Sequence, residues 1–315
     1  MKNLKLAAVC LSCLTMTGCS ALNFSVEGLI NAPKLTSEQS EIHQALIESV
    51  GSNITLKYPK NGEYRSAYVI ANIDDEPTDE AMVFYEYTSN GSEEDGLRVN
   101  ILDKDEDGKW YSVKELAGAG TDIDQVIISP MGSNNQTDVF VGYQNLTNDE
   151  KTMEIYSYTD GDFKRVALDT YSVLEPLDIN NDGYIELITI QRSTNNDTGA
   201  VTAKASMLNM KNNEITRGEN VDMCDNVTSY VSSKTGMLDS GRRAIFIDGL
   251  TADGKLQTEI IYYRYSGLQN PMQLRSEKLL PLCTRPAGYY SEDMDGDGDV
   301  EIPSTSPMVG YENAV

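Results

Sequence analysis

Between Thr36 and Gly51 the apolar residues of this chain recur every three or four positions, and from Asn53 onward they recur at every second one. In "TSEQSEIHQALIESVG", Ile42, Ala45, Leu46 and Val50 fall on one helical face, with Thr36 or Ser37 placed to cap the start and Gly51 the end. Residues 36–51 are therefore predicted to form one amphipathic helix. The alternation that follows is that of half-buried strands. The predicted fold class is all-β with one short N-terminal helix.

The strands come in copies. Five segments align, "DEAMVFYEY", "QTDVFVGYQ", "YIELITIQR", "RRAIFIDGL" and "DVEIPSTSP". Matched on Glu80, Asp138, Glu186, Ala244 and Glu301, they are separated by 58, 48, 58 and 57 residues. An apolar run such as "AYVIANI" or "QVIISPM" precedes each anchor, and two more alternating runs follow it in the first four copies. In the first copy these are "LRVNIL" and "KWYSVKEL"; in the fourth they are "QTEIIYYRYS" and "MQLRSEKLL" around a turn at "GLQNP". Four strands per unit joined by hairpin turns describe a propeller blade, so residues 52–315 are predicted to be a β-propeller with about five repeats visible. The fifth copy stops at Val315 before its later strands. Either the chain is truncated there, or N-terminal residues such as "NITLKYP" complete the last blade.

Composition narrows the function classes. A formal charge of -24 argues against nucleic acid and anionic membrane surfaces as partners. The one histidine, His43, lies in the predicted helix, where it reads as a surface or packing residue. Histidine-dependent nucleophilic triads and zinc centres are thereby excluded. Eighteen tyrosines include Tyr85, Tyr87, Tyr156, Tyr158, Tyr262, Tyr263 and Tyr265, which either pack between blades or line a binding surface. A glycosidase would need only two carboxylates, which 49 acidic residues can supply.

At the N-terminus, Lys2 and Lys5 precede a short apolar run and then Thr17-Gly18-Cys19. Residues 1–18 are predicted to be a signal peptide, too short to span a bilayer as a mature helix. Their end resembles a bacterial lipobox, which implies a lipid on Cys19, a tether over 19–35, and a place on the extracytoplasmic face of a bacterial cell envelope. Cys10 and Cys13 leave with the signal, so Cys224 and Cys283 remain, either bridged or as two buried thiols.

The candidate chemistry lies in two acidic loops. "DMDGDGDVE" sets Asp293, Asp295 and Asp297 at positions 1, 3 and 5, the Asp299 carbonyl at 7 and Glu301 at 9. "DINNDGYIE" repeats the design with Asp178, Asn180, Asp182, the Tyr184 carbonyl and Glu186. Such an oxygen cage suits calcium, and the glycine at position 6 of each, Gly298 or Gly183, permits the tight bend. An EF-hand would require glutamate at position 12, where the chain has Thr189 and Ser304. In the first copy Asn72, Asp74 and Glu76 align with positions 1, 3 and 5, but Pro77 replaces the glycine. "DKDEDGKWY" at 103–111 reads as a hairpin turn.

Nine-residue acidic loops placed before a strand in a four-stranded repeat resemble those of integrin-α-type (FG-GAP or VCBS-like) calcium-binding β-propellers. The resemblance covers residues 52–315 and implies structural calcium. The expected function is a lipid-anchored, non-catalytic binding or scaffold module for a protein or glycan ligand. The alternative is a carbohydrate-active or other hydrolase on the same fold.

Overall fold

The computed structural model of the chain describes residues 35–88, 96–130, 137–145, 150–183, 185–194, 197, 201–211, 214–238, 241–271 and 284–303. The signal segment, Cys19, Tyr184 and Cys283 lie outside the described residues. Helix α1 spans Ser37–Val50. Thr36 Oγ1 accepts the Gln39 N–H at 3.1 Å while Gln39 Oε1 accepts the Thr36 N–H at 3.1 Å, a reciprocal cap of two otherwise unpaired donors. Gly51, at φ 84°, ends the helix in a conformation that a side chain would oppose. His43 Nδ1 lies 2.8 Å from the Tyr68 hydroxyl, so its role is packing between the helix and the first sheet.

Among the described residues, all other named elements are strands of antiparallel sheets. The first sheet holds β1 (Ile54–Leu56), β2 (Tyr68–Ala71), β3 (Glu80–Tyr87), β4 (Leu97–Lys104) and β5 (Trp110–Ala117). The second holds β6 (Asp122–Pro130), β7 (Thr137–Gln144), β8 (Lys151–Thr159) and β9 (Asp162–Tyr171). The third holds β10 (Val173–Leu177), β11 (Glu186–Thr194), β12 (Val201–Lys211) and β13 (Glu214–Asp222). The fourth holds β14 (Val227–Leu238), β15 (Arg242–Thr251), β16 (Lys255–Arg264), β17 (Gly267–Gln269) and β18 (Thr284–Pro286). The four anchors expected from the repeat occupy β3, β7, β11 and β15, the second strand of each meander.

Two expectations are corrected. "NITLKYP" does not complete a last blade: Ile54, Thr55 and Leu56 pair with Tyr87, Glu86 and Tyr85 of β3. The four-residue β2 covers only the first half of that edge, and the segment just after α1 fills the rest. The expected turn at "GLQNP" falls earlier, on Tyr265 and Ser266, whose φ angles of 56° and 62° make a two-residue hairpin. Gly267–Gln269 then becomes strand, sharing the edge of β16 with β18. The run from Met272 to Leu280 expected as the last strand lies outside the described residues.

Alternate residues of each strand enter different cores, which is what the period of two specifies. On β3, Ala81, Val83 and Tyr85 meet Ile42 and Leu46 of α1, whereas Met82 and Phe84 meet Val139, Val141 and Tyr143 of the second sheet. On the opposite face of that sheet, Phe140 and Met153 pack with Leu174 and Leu187 of the third. Ile188 and Ile190 in turn pack with Ile245, Ile247 and Ile261 of the fourth. Burying each such side chain contributes about 1.5–3 kcal/mol. The order of packing is thus helix, first, second, third and fourth sheet. Among the described residues no apolar cluster joins the fourth sheet to the first, and no helix is long and apolar enough to cross a membrane.

Candidate functional site

The 178–186 loop leads into the anchor strand β11, whereas the 293–301 loop ends on Glu301, which forms only an isolated bridge to Glu292. From Ser304 on, the fifth expected anchor lies outside the described residues, yet the two loops share a backbone conformation. Positions 4 and 6 are left-handed in each: Asn181 (61°) and Gly183 (95°) in one, Gly296 (81°) and Gly298 (95°) in the other. These bends turn amide N–H groups inward onto the first carboxylate. Asp178 accepts from the N–H groups of Asp182 at 3.0 Å and Gly183 at 3.3 Å. Asp293 accepts from those of Gly296 at 2.7 Å and Gly298 at 3.0 Å. The position-9 glutamate reaches back to the N–H at position 2 in both, Glu186 to Ile179 at 3.0 Å and Glu301 to Met294 at 2.7 Å.

The loops differ in how their carboxylates are balanced. Asp293, Asp295 and Asp297 are exposed, and oxygens from all three lie within 4.8 Å of one another. Among the described residues this is the one such acidic grouping. Asp297 accepts the Asp299 N–H at 2.9 Å, and Gly298 O accepts the Met237 N–H at 3.2 Å, tying the loop to β14. In the other loop, the Asn180 amide donates to Asp182 at 3.0 Å and to Glu186 at 2.8 Å, and Arg243 lies 3.1 Å from Asp178. Burial, with repulsion from Asp182 and Asp178 added, pushes the Glu186 carboxyl above its usual range despite the Ile179 N–H. The donor set in both loops is all oxygen, the chemistry that suits a hard cation such as calcium.

The first copy keeps part of this geometry. Glu80 accepts the Ile73 N–H at 2.8 Å, and Asp74 accepts the Glu76 N–H at 2.8 Å, as Asn180 does for Asp182 at 2.8 Å. Pro77 has no N–H to offer at position 6. Residues 103–111 form the hairpin turn between β4 and β5, closed by the Asp105 N–H to Lys109 O at 3.0 Å. Cys224 is buried and, among the described residues, forms no disulfide; Cys283 lies outside them.

Sequence reasoning missed a cleft of about 640 Å³. It is lined by the first strands of three sheets, β6, β10 and β14, and by residues 61–65, which lead into the first sheet. Period-two alternation identified these strands but carries no information about which edges converge. At its floor, burial would raise Asp124, but Lys151 at 2.9 Å and the Tyr171 hydroxyl at 2.7 Å outweigh it and hold the carboxyl below its usual range. Glu175 also lines the cleft; burial raises its carboxyl, opposed by a hydrogen bond from the Ser233 hydroxyl and by Lys151. The tyrosines divide: Tyr85 and Tyr156 are buried and donate to Glu115 at 2.5 Å and Glu154 at 2.6 Å, whereas Tyr265 is 80% exposed.

No family model and no curated protein matches this sequence. Among solved structures, the chain is similar to a Bacteroides fragilis protein carrying the provisional name 6-phosphogluconolactonase, at 10% identity and a TM-score of 0.32. The match covers 69% of this chain and 65% of that one, so this chain spans slightly less than two thirds of its neighbour's length.

Proposed function

We propose that this chain is a calcium-stabilised β-propeller-type array, anchored by lipid at Cys19 to the extracytoplasmic face of a bacterial envelope, that binds a protein or glycan ligand without transforming it. The observation that carries the reading is the convergence of β6, β10 and β14 with residues 61–65 on one cleft. Blades around a common axis would present their first strands to one another in this way, and clefts of this size are where ligands are held. Asp178, Asn180, Asp182, the Tyr184 carbonyl and Glu186 would ligate one calcium; Asp293, Asp295, Asp297, the Asp299 carbonyl and Glu301 would ligate the second. Each ion would tie the entry to an anchor strand.

One observation favours the rival, a carbohydrate-active hydrolase. Asp124 and Glu175 share the cleft with carboxyls displaced in opposite directions, as acid and base pairs are. Asp124, however, is 1% exposed and accepts from Lys151, Tyr171, Asn61 and Gln144, which leaves it no oxygen for a substrate. The test is a screen of the purified chain against glycans and peptides, scored for retention and for released product. Retention weakened by Lys234→Glu in the cleft wall, without product, is expected. Turnover abolished by a single Asp or Glu substitution would replace this reading with the hydrolase.

A further inference from the structure

The cleft differs in charge from the rest of the molecule. The chain carries 49 acidic residues against 25 basic ones, yet the cleft lining holds as many of one as of the other: Glu63, Asp124 and Glu175 against Arg65, Lys151 and Lys234. Two of these carboxylates are already engaged. Asp124 is saturated by its four donors, Lys151 among them, and Glu175 accepts the Ser233 hydroxyl. The cations on the walls are less committed. Arg65 is exposed and forms no ion pair among the described residues. Lys234 comes within 3.9 Å of Glu292, but both side chains are exposed, and such a pair holds weakly.

A second cleft, of about 330 Å³, adjoins the first, and Lys151, Ser172, Tyr230 and Val231 line both. Arg192 of β11 also lines it, and among the described residues no carboxylate does. The Tyr230 hydroxyl is buried with no hydrogen-bond partner, a donor still without an acceptor. An extended peptide would need a bare strand edge to pair with. The β6 edge is taken where the Asp124 carbonyl accepts the N–H groups of Lys60 at 3.0 Å and Asn61 at 2.7 Å. The β10 edge is taken where the Leu174 carbonyl accepts the Gln125 amide at 2.8 Å. Two of the three edges are thus interrupted. The rest of the lining is rich in amides and hydroxyls, such as Asn145, Ser229 and Ser232, with Ile185 and Val231 as exposed apolar contacts. That mixture suits the hydroxyls and the C–H face of a sugar ring.

We propose that the two clefts form one site for an acidic oligosaccharide, a chain of sugars bearing carboxylates of the uronic acid type. Arg65 and Lys234 pair with its carboxylates on the walls of the larger cleft, and Lys151 and Arg192 face it in the smaller one. The inference rests on the ligand-binding reading of the cleft. A guanidinium meets a carboxylate through two parallel N–H donors, a match that an uncharged sugar cannot offer. The acidic surface elsewhere does not forbid such a ligand. At physiological ionic strength a charge acts over about 8 Å, so the residues lining the site outweigh carboxylates beyond it. Within the lining, Glu63 is exposed, forms no ion pair among the described residues, and opposes the ligand with a like charge.

The test titrates the full chain by calorimetry with hexamers of galacturonic, glucuronic and mannuronic acid, with their methyl esters, and with a glutamate hexamer. At least one uronic acid hexamer is expected to bind, and its methyl ester to bind about tenfold more weakly. Arg65→Gln should weaken the acid hexamer about tenfold and Glu63→Gln should tighten it. Both variants should melt as the parent does, because the two side chains are exposed. No binding by any uronic acid hexamer, methyl esters that bind as well as the acids, or binding indifferent to Arg65→Gln overturns the inference. Binding of the glutamate hexamer alone overturns it in favour of an acidic peptide. Neutral glycans retained in a manner sensitive to Lys234→Glu would leave the ligand-binding reading standing without it, whereas retention of nothing at all would sink both.

Discussion

Arg285 Nη2 lies 2.8 Å from Asp248 Oδ1, with the two side chains 0% and 1% exposed. Arg285 also donates to Thr258 at 2.6 Å, to Ser291 at 3.1 Å and to the Tyr289 carbonyl, and Asp248 accepts the Ser291 N–H at 2.6 Å. This network fastens residues 284–291 to the fourth sheet and so holds the approach to the last acidic loop. Breaking a buried pair strands a charge. Arg285→Met is expected to cost about 3–5 kcal/mol by denaturant unfolding. Adding Asp248→Leu should return part of it, and full additivity of the two losses would show that the pair is not coupled.

Calcium should raise the melting temperature and chelator lower it, because a ligand held only by the native state stabilises it by about 2.7 kcal/mol at a hundredfold excess over its dissociation constant. Asp182→Ala and Asp297→Ala are each expected to remove part of the shift. An unchanged melting curve from micromolar to millimolar calcium would refute both loops.

A β-carbon on Gly236 would stand 2.5 Å from Val300 Cγ2, within the strand pairing that seats residues 298–300 on β14. Gly236→Ala should therefore push Val300 away at a cost of about 1–3 kcal/mol. It should also weaken calcium binding at Asp293 while leaving that at Asp182 intact. Calorimetric titration of the two loops separately checks this.

Glu175 gives the fold a pH dependence of known sign. Its carboxyl is raised by burial, so between the ordinary glutamate range near about 4.3 and its folded value the native chain holds a proton that the unfolded chain has released. That contribution to stability is complete at low pH and fades as pH rises through this window. Glu175→Gln should flatten the slope in unfolding experiments from acid to neutral pH, and an unaltered slope would assign it to other groups.

The sequence disclosed what local rules govern. The capping pair Thr36 and Gln39, the anchors at Glu80 and Glu186, and the turn closed at Asp105 all follow from neighbours a few residues apart. The resemblance between the two acidic loops extends to their φ angles because glycine and asparagine tolerate the left-handed region where other side chains resist it. What stayed hidden depends on pairing across distance. Ile54 and Leu56 could have served any open edge; only the short β2 directs them to β3. Tyr265 and Ser266 carry no glycine signal for their turn. Arg285 gives no hint of burial until Asp248 meets it from 37 residues away.

The helix over the first sheet also sets an order of assembly. A nascent chain releases α1 and β1 to β5 before anything else described here, and those elements can bury one another at once, leaving a single sticky surface through Met82 and Phe84. In a chain that folds as it is made, each later meander would meet a first sheet whose other face α1 already covers.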